Sequence, residues 1–324
     1  MKMWEEAPQA ELFGTRIYSF GLYCMIGAVV SVAAIWILCR FMKTKKGTDG
    51  LLSLLSVVFG IVCSRITYCL LDIPISGGMP VHVWCRISAG GFSLFGMITG
   101  TFLASWLCSR LTGQSNRKML DIVSCAVPLM IAAERFGERY FEGFDISRPI
   151  LAGNFPDNTF LAYKDTYYED IVYLETYFLA GICAIALFLV LVFFLTRSGR
   201  REGDTWILFM ILCGTGGVLL ESLRDDRFLE FSFVYFQQII AMLLLIAGVV
   251  MAGLRTEKRK KKLFAAAGIS LPVCVLVCIA AEFAFDRTKI NHYLLYAIMT
   301  AVLAVPATLG IFLLEKREKG KIAH

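Results

Sequence analysis

The chain has 324 residues, 57% of them apolar and 18% charged, with a formal net charge of +6. Its mean hydropathy is +0.67. Length alone would admit two soluble domains, but several apolar runs exceed the roughly 18 residues needed to cross a ~30 Å hydrocarbon layer. Strict alternation is absent, so these runs read as helices, and the chain reads as an all-α, polytopic membrane bundle.

In chain order, an acidic stretch with Glu5, Glu6 and Glu11 precedes the first apolar run at Ile17. The basic start and small-residue cleavage site of a signal peptide are not evident. The predicted spans are 17–39, 51–71, 87–109, 119–137, 172–196, 205–222, 232–254, 263–285 and 291–314. The eleven cysteines fall mostly inside these runs, and no CxxC or Cys/His spacing suggests a metal. They read as small apolar packing residues. No metal and no cofactor is expected.

Alternate connections are basic: Arg40 to Lys46, Arg110 to Lys118, Arg197 to Arg201, Arg255 to Lys262, and the tail from Lys316. They hold most of the 32 Lys and Arg. Short basic loops stay in the cytoplasm, so the N-terminus should face out and the C-terminus in, as nine crossings require. The positive charge is then a matter of topology and anionic lipid, and no nucleic-acid partner is implied. The one long outer connection, about 138–171, should form a small extracytoplasmic cap between helices four and five, its Tyr163, Tyr167, Tyr168 and Tyr173 suiting the membrane interface. Three regions follow: a membrane domain over 1–254, a basic cytoplasmic linker over 255–262, and a terminal hairpin and tail over 263–324.

Ionisable residues in hydrocarbon are costly and call for a reason. Arg65 lies roughly 21 Å along the second span, and Arg135 and Glu221 roughly 24 Å along the fourth and sixth. Gly90, Gly91 and Gly96 on the third span, with Gln237 and Gln238 at the start of the seventh, fall in the same outer layer. These residues predict a shared cavity toward the outer leaflet that holds an anionic lipid headgroup, since arginine forks match phosphate. Two blander readings stand beside it: a buried Arg135–Glu221 pair, or side chains that snorkel to the outer interface. Glu134, Glu138 and Arg139 also read as boundary charges.

The segment LDIVSCAVPLMIAAERFGERYFEG, residues 120–143, resembles the signature helix of the prolipoprotein diacylglyceryl transferases. Asp121, Pro128, Arg135 and Gly137 match that family's pattern. FGIVCSRITYCL (59–70) is similar to its Gly-x-Arg-x-x-Tyr helix through Arg65 and Tyr68, and GGFSLFG (90–96) to its Gly-Gly-x-Ser-x-His-Gly motif through Gly90, Gly91 and Ser93. GTGGVLLESLRDD (214–226) resembles its Tyr-Gly-x-x-Arg-Phe-x-x-Glu-x-x-Arg motif through Gly214, Glu221 and Arg224, and YSFGLY (18–23) its first-helix Tyr-Gly motif. The resemblance covers about residues 12–254: seven family-like helices, with the final hairpin outside it.

The resemblance implies transfer of a diacylglyceryl group from phosphatidylglycerol to the lipobox cysteine of a prolipoprotein, in the bacterial inner membrane. Together with the buried polar residues it gives a candidate catalytic set of Arg135, Glu221 and Glu138, and a candidate substrate-binding set of Arg65, Tyr68, Gly90, Gly91, Ser93, Gly137, Arg224 and Gln237, of which Glu138 and Gln237 match no motif residue. Arg135 and Arg65 would hold phosphate, and Glu138 or Glu221 would take the thiol proton unless the substrate thiol arrives already deprotonated. Departures are clear. The motif His is Phe95, one motif Arg is Gly217, the first-helix Tyr is Phe20, and the two motif Asn are Glu138 and Phe141. The motif's last Glu falls on Gly143, or on Glu142 after a one-residue slip. Three functions therefore stay open: a transferase with rewired residues, a non-catalytic phospholipid- or partner-binding paralogue, and a small transporter. No internal repeat of the kind common in transporters is visible.

Overall fold

The computed structural model describes residues 10–12, 15–76, 80, 84–85, 92–140, 148, 160–164, 171–197, 199–224, 230–231, 234–256 and 260–315. Among them are nine long α-helices: α1 (Ser19–Phe41), α2 (Thr48–Ser76), α3 (Leu94–Thr112), α4 (Asn116–Gly137), α5 (Thr176–Thr196), α6 (Asp204–Leu223), α7 (Phe236–Leu254), α8 (Lys261–Arg287) and α9 (His292–Leu314). Each coincides with one predicted span. Three local two-stranded antiparallel hairpins connect or precede them: β1–β2 (Ala10–Leu12, Thr15–Ile17), β3–β4 (Ala162–Lys164, Val172–Leu174) and β5–β6 (Glu230–Phe231, Val234–Tyr235).

Eight of these helices are long and apolar enough to cross a membrane. Their outward positions are hydrocarbon: Ile37, Phe193, Leu254, Ile269 and Leu276 are all largely exposed. Water would not tolerate so many exposed apolar side chains, whereas acyl chains are their natural surroundings. The multi-pass membrane class follows.

The ninth helix, α4, is too polar for that group, with Arg117, Lys118, Asp121, Glu134 and Arg135 in its 22 residues. Burial explains its composition. Every residue from Asp121 to Pro128 is buried, because α4 packs on both α1 and α3. Lipid meets little of it, so it is free to carry polar groups that find partners inside the protein.

Local chemistry sets the helix ends. α3 stops at Gly113, whose φ of +63° is the left-handed conformation that a Cβ disfavours. α9 starts at Asn291, whose side chain accepts from the Tyr293 amide at 2.9 Å. The third helix begins at Leu94 rather than at the predicted 87, with Ser93 as its N-cap. Gly90 and Gly91 lie outside the described residues.

The chain divides into two compact units. The first comprises Met1–Leu189 with Leu223–Leu229, and the second Val190–Ser222 with Glu230–His324. In the first, α1 packs on α2 and α4, and α3 on α2 and α4. Small residues make this possible. A Cβ on Gly96 of α3 would lie 2.6 Å from the Cys63 carbonyl oxygen and 2.7 Å from Ser64 Cα, and one on Gly100 would strike the Phe59 carbonyl. This is the close backbone approach that a Gly-x-x-x-Gly spacing permits in membranes. In the second unit α7, α8 and α9 pack on one another, and Gly214 lets α6 approach the α7 backbone at Ala241 and Leu245.

Candidate functional site

Among the described residues of the first unit the buried cations are Arg65, Arg135, Arg148 and Arg224. Arg65 sits at the end of α2 that meets the start of α3. There the two elements are stitched together: Ser64 Oγ donates to the Ser93 carbonyl at 2.7 Å, and the Ser93 amide donates to the Ser64 carbonyl at 3.2 Å. The Arg65 Nε donates to the Trp84 carbonyl at 3.2 Å, and its guanidinium lies over the Tyr68 ring at 5.8 Å from the centroid. The guanidinium is thereby held by a carbonyl and by a ring face. Three residues proposed from sequence, Arg65, Tyr68 and Ser93, are thus gathered at one helix junction.

Arg135 occupies the last turn of α4 and is 5% exposed. Its Nη1 donates to both oxygens of Glu138, at 2.8 and 3.1 Å, and its Nε lies 3.6 Å from Glu134 Oε2. The i,i+3 spacing across the helix end produces this pairing. Glu138 is buried rather than a boundary charge, whereas Arg139 is exposed. Gly137 is where α4 meets α1: a Cβ there would lie 3.0 Å from the Phe20 ring and 3.1 Å from Tyr23 Cβ.

Arg148 was not singled out from sequence. It is 7% exposed, and its amide donates to the Leu223 carbonyl at 3.0 Å, next to Arg224. The long connection after α4 is therefore tied to the segment that carries Arg224. Its burial and this tertiary contact single out Arg148, and neither can be read from the sequence.

The second unit has its own polar cluster. Glu221, 7% exposed, is in the last turn of α6. Gln237, with its amide nitrogen turned toward the carboxylate, donates to both Glu221 oxygens at 2.9 and 3.1 Å, the orientation that satisfies both groups. Beside it, Gln238 Nε2 donates to Glu282 Oε1 at 2.7 Å. Glu282, 2% exposed, belongs to α8 and was missed in the sequence reading. A glutamate inside an apolar span was the signal available.

The arrangement offers guanidinium groups for an anion and buried carboxylates for a proton. Arg65 and Arg135 have different described partners, and Glu221 with Gln237 belongs to the other unit. Among the described residues no group of three or more His, Cys, Asp or Glu is arranged to hold a metal ion.

A multi-pass helical protein with arginines and glutamates buried within its bundle fits a membrane enzyme acting on a charged lipid. Residues 9–254 match the family described as prolipoprotein diacylglyceryl transferase. That match spans most of the chain, and the chain belongs to this family. Similar proteins include the phosphatidylglycerol–prolipoprotein diacylglyceryl transferase of Staphylococcus haemolyticus, 25% identical over 66% of this chain and 75% of that protein. The transferase of the same name from Clostridium tetani is 25% identical over 74% and 93%. Transferase 2 of Clostridium perfringens is 25% identical over 78% and 96%.

Proposed function

We propose that this chain transfers the diacylglyceryl group of phosphatidylglycerol to the lipobox cysteine thiol of a prolipoprotein. The family match over residues 9–254 carries the reading, and the relatives named above are transferases of that name. In the reaction the cysteine sulfur attacks a glyceryl carbon, a new C–S bond forms, and the C–O bond to phosphate breaks. Glycerol phosphate leaves with the electron pair, and the thiol proton passes to a base.

The site residues follow from that chemistry. Arg135 holds the lipid phosphate and stabilises it as it departs, and Arg65 serves a phosphate in the same way. Support comes from their burial, where a guanidinium keeps its charge and its paired donors. Nη1 of Arg135 faces Glu138, and the planar guanidinium fork has the geometry that matches a phosphate. Glu138 and Glu221 are the proton acceptors we assign, because Phe95 and Phe20 offer no acceptor atom. Tyr68, Ser93, Gly137, Arg224, Gln237, Gly90 and Gly91 complete the substrate contacts in this reading.

The enzyme lies in the bacterial inner membrane with its N-terminus outside and its C-terminus in the cytoplasm, a reading supported by the basic alternate loops. Its partners are phosphatidylglycerol and a prolipoprotein. Residues 1–254 form the catalytic membrane domain, with the connection at about 138–171 as its outer cap. Residues 255–262 are the linker, and 263–324 the added hairpin and tail.

A second reading, a phospholipid-binding paralogue without catalysis, rests on Phe95 and Gly217, where the family's motifs carry His and Arg. One experiment separates the two. Cells depleted of their own transferase receive this chain or its Arg135→Ala variant, and lipid attachment to a tagged lipoprotein is followed by its gel shift. The transferase reading expects modification by the wild type and none by the variant. An expressed wild type that leaves the lipoprotein unmodified, yet co-purifies with phosphatidylglycerol through Arg135, decides for the paralogue.

A further inference from the structure

The Glu221–Gln237 pair joins the last turn of α6 to the first turn of α7. Both members lie inside the family-matched region. Part of what holds the pair comes from outside that region. The residue after each partner is gripped by the terminal hairpin. Gln238 Nε2 donates to Glu282 Oε1 of α8 at 2.7 Å, and the Tyr296 hydroxyl of α9 donates to the Ser222 carbonyl at 3.0 Å.

Each grip uses its group fully. Gln238 accepts from the Tyr235 amide at 3.1 Å and donates to the Val218 carbonyl at 3.4 Å as well as to Glu282. Its amide is therefore bonded to α6, to α8 and to Tyr235, the N-cap of its own helix α7. The Ser222 carbonyl is one of the last four of α6, which lack a partner within their own helix. Tyr296 supplies that partner, and its ring packs on Phe285 of α8 at 4.5 Å between centroids. Glu282 and Ser222 are nearly inaccessible, so these bonds form away from water, where an unmade one is costly.

We propose that Glu282 and Tyr296 are positioning residues for the transferase, supplied by the terminal hairpin to a domain that does not encode them. This rests on the reading of Glu221 as a proton acceptor in that reaction. Neighbouring residues on a helix are rotated by about 100° from one another. Fixing Gln238 fixes the roll of the first turn of α7, and with it the direction in which Gln237 presents its amide. Fixing Ser222 does the same for Glu221. The hairpin thereby sets the alignment of the carboxylate and its donor without touching either through the contacts described here.

Steady-state transfer to a lipobox peptide, measured on the full-length protein in phosphatidylglycerol vesicles, tests the role. Glu282→Leu should lower kcat about tenfold while the KM for the lipobox peptide stays within about twofold, the pattern of a lost alignment rather than lost binding. Glu282→Gln keeps an acceptor oxygen for Gln238 and should recover most of that loss. Glu282→Leu combined with Gln238→Leu should be no worse than Gln238→Leu alone, since the latter already removes the Glu282 bond along with those to Tyr235 and Val218.

A purely structural brace would instead move Tm and leave kcat per folded molecule at the wild-type value. That result overturns the proposal, as does a double variant whose losses multiply. Should Glu282→Leu not accumulate in folded form, Tyr296→Phe, which deletes a single oxygen, carries the test. It should lower kcat roughly threefold at unchanged KM, and a wild-type kcat overturns the role. A wild type that transfers nothing overturns the reaction and this role together. An active wild type with indifferent variants overturns this role alone.

Discussion

At the residue scale the informative group is Arg135 with Glu134 and Glu138. One guanidinium faces two carboxylates, nearly out of water. Such a cluster is a weak source of net stability, because desolvation offsets the attraction, but breaking it strands the carboxylates. Arg135→Ala should therefore cost about 3–5 kcal/mol of stability as well as transfer activity. Arg135→Lys separates the two effects. The charge is retained and the carboxylates keep a partner, but the planar fork is lost. The lysine variant should keep most of the wild-type Tm in detergent and still transfer at least about tenfold more slowly. Equal loss of Tm in both variants would mean that the fork serves the fold rather than the lipid.

The same residues show what could be read before any coordinates. Arg65, Tyr68 and Ser93 lie in motifs whose spacing marks them, and they meet at one junction. Glu138 stands three residues after Arg135, but the end of a span reads as a solvated boundary, and the sequence offered Glu221 as the partner of Arg135 instead. Burial decided between those readings. Arg148 and Glu282 were not picked out because their partners, the Leu223 carbonyl and Gln238, are distant in sequence.

At the scale of elements, the contact between α2 and α3 depends on Gly96 and Gly100. The α2 backbone occupies the space a side chain would need. Between apolar helices in lipid, association rests on such close packing rather than on water exclusion. Gly96→Val should therefore destabilise the protein by roughly 1–3 kcal/mol, because rigid backbone cannot yield to a new side chain. It should also disturb the Ser64–Ser93 stitching beside Arg65. Gly60→Ala is the matched control: its Cβ would meet only Met97 and Thr101 side chains at 3.6 and 3.7 Å, ordinary contact distances. Thermal unfolding followed by size exclusion in detergent reads both, and equal Tm values for the two variants would contradict this packing account.

Hydropathy marked all nine helices within a few residues, with the start of α3 the largest displacement. That element begins late because Ser93 caps it and bonds back to Ser64, a tertiary arrangement that window averages do not register. α4 was marked by its apolar run as well, although it is more polar than the other eight, since packing on α1 and α3 buries polar residues such as Asp121 and Arg135.

For the whole molecule, the question is which end of the bundle faces the cytoplasm. The basic loops close the ends of helices as well as carrying charge. In the first unit Lys45 Nζ donates to the Thr112 carbonyl at the end of α3, and Gln114 reaches Thr48 at the start of α2. The connections before α2 and before α4 therefore lie at one end of that unit. In the second unit Arg200 Nε donates to the Leu195 carbonyl at 2.7 Å, Arg201 to the Arg255 carbonyl at 2.9 Å, and Lys260 to the Phe312 and Glu315 carbonyls. Cations at helix C-termini are favoured by the helix dipole. Basic residues thus cluster at one end within each unit, the condition under which the positive-inside rule has a single answer. Fluorescent-protein fusions after residue 256 and at the C-terminus should both glow, since that reporter matures in the cytoplasm. Alkaline phosphatase inserted near residue 155 should be active, because the proposed topology puts that connection outside. An inactive phosphatase at 155 together with dark fusions at both other positions would invert the topology. The proposed proton acceptors would then sit at the cytoplasmic end, away from the cysteine of an exported precursor, and the transfer reaction would lose its geometry.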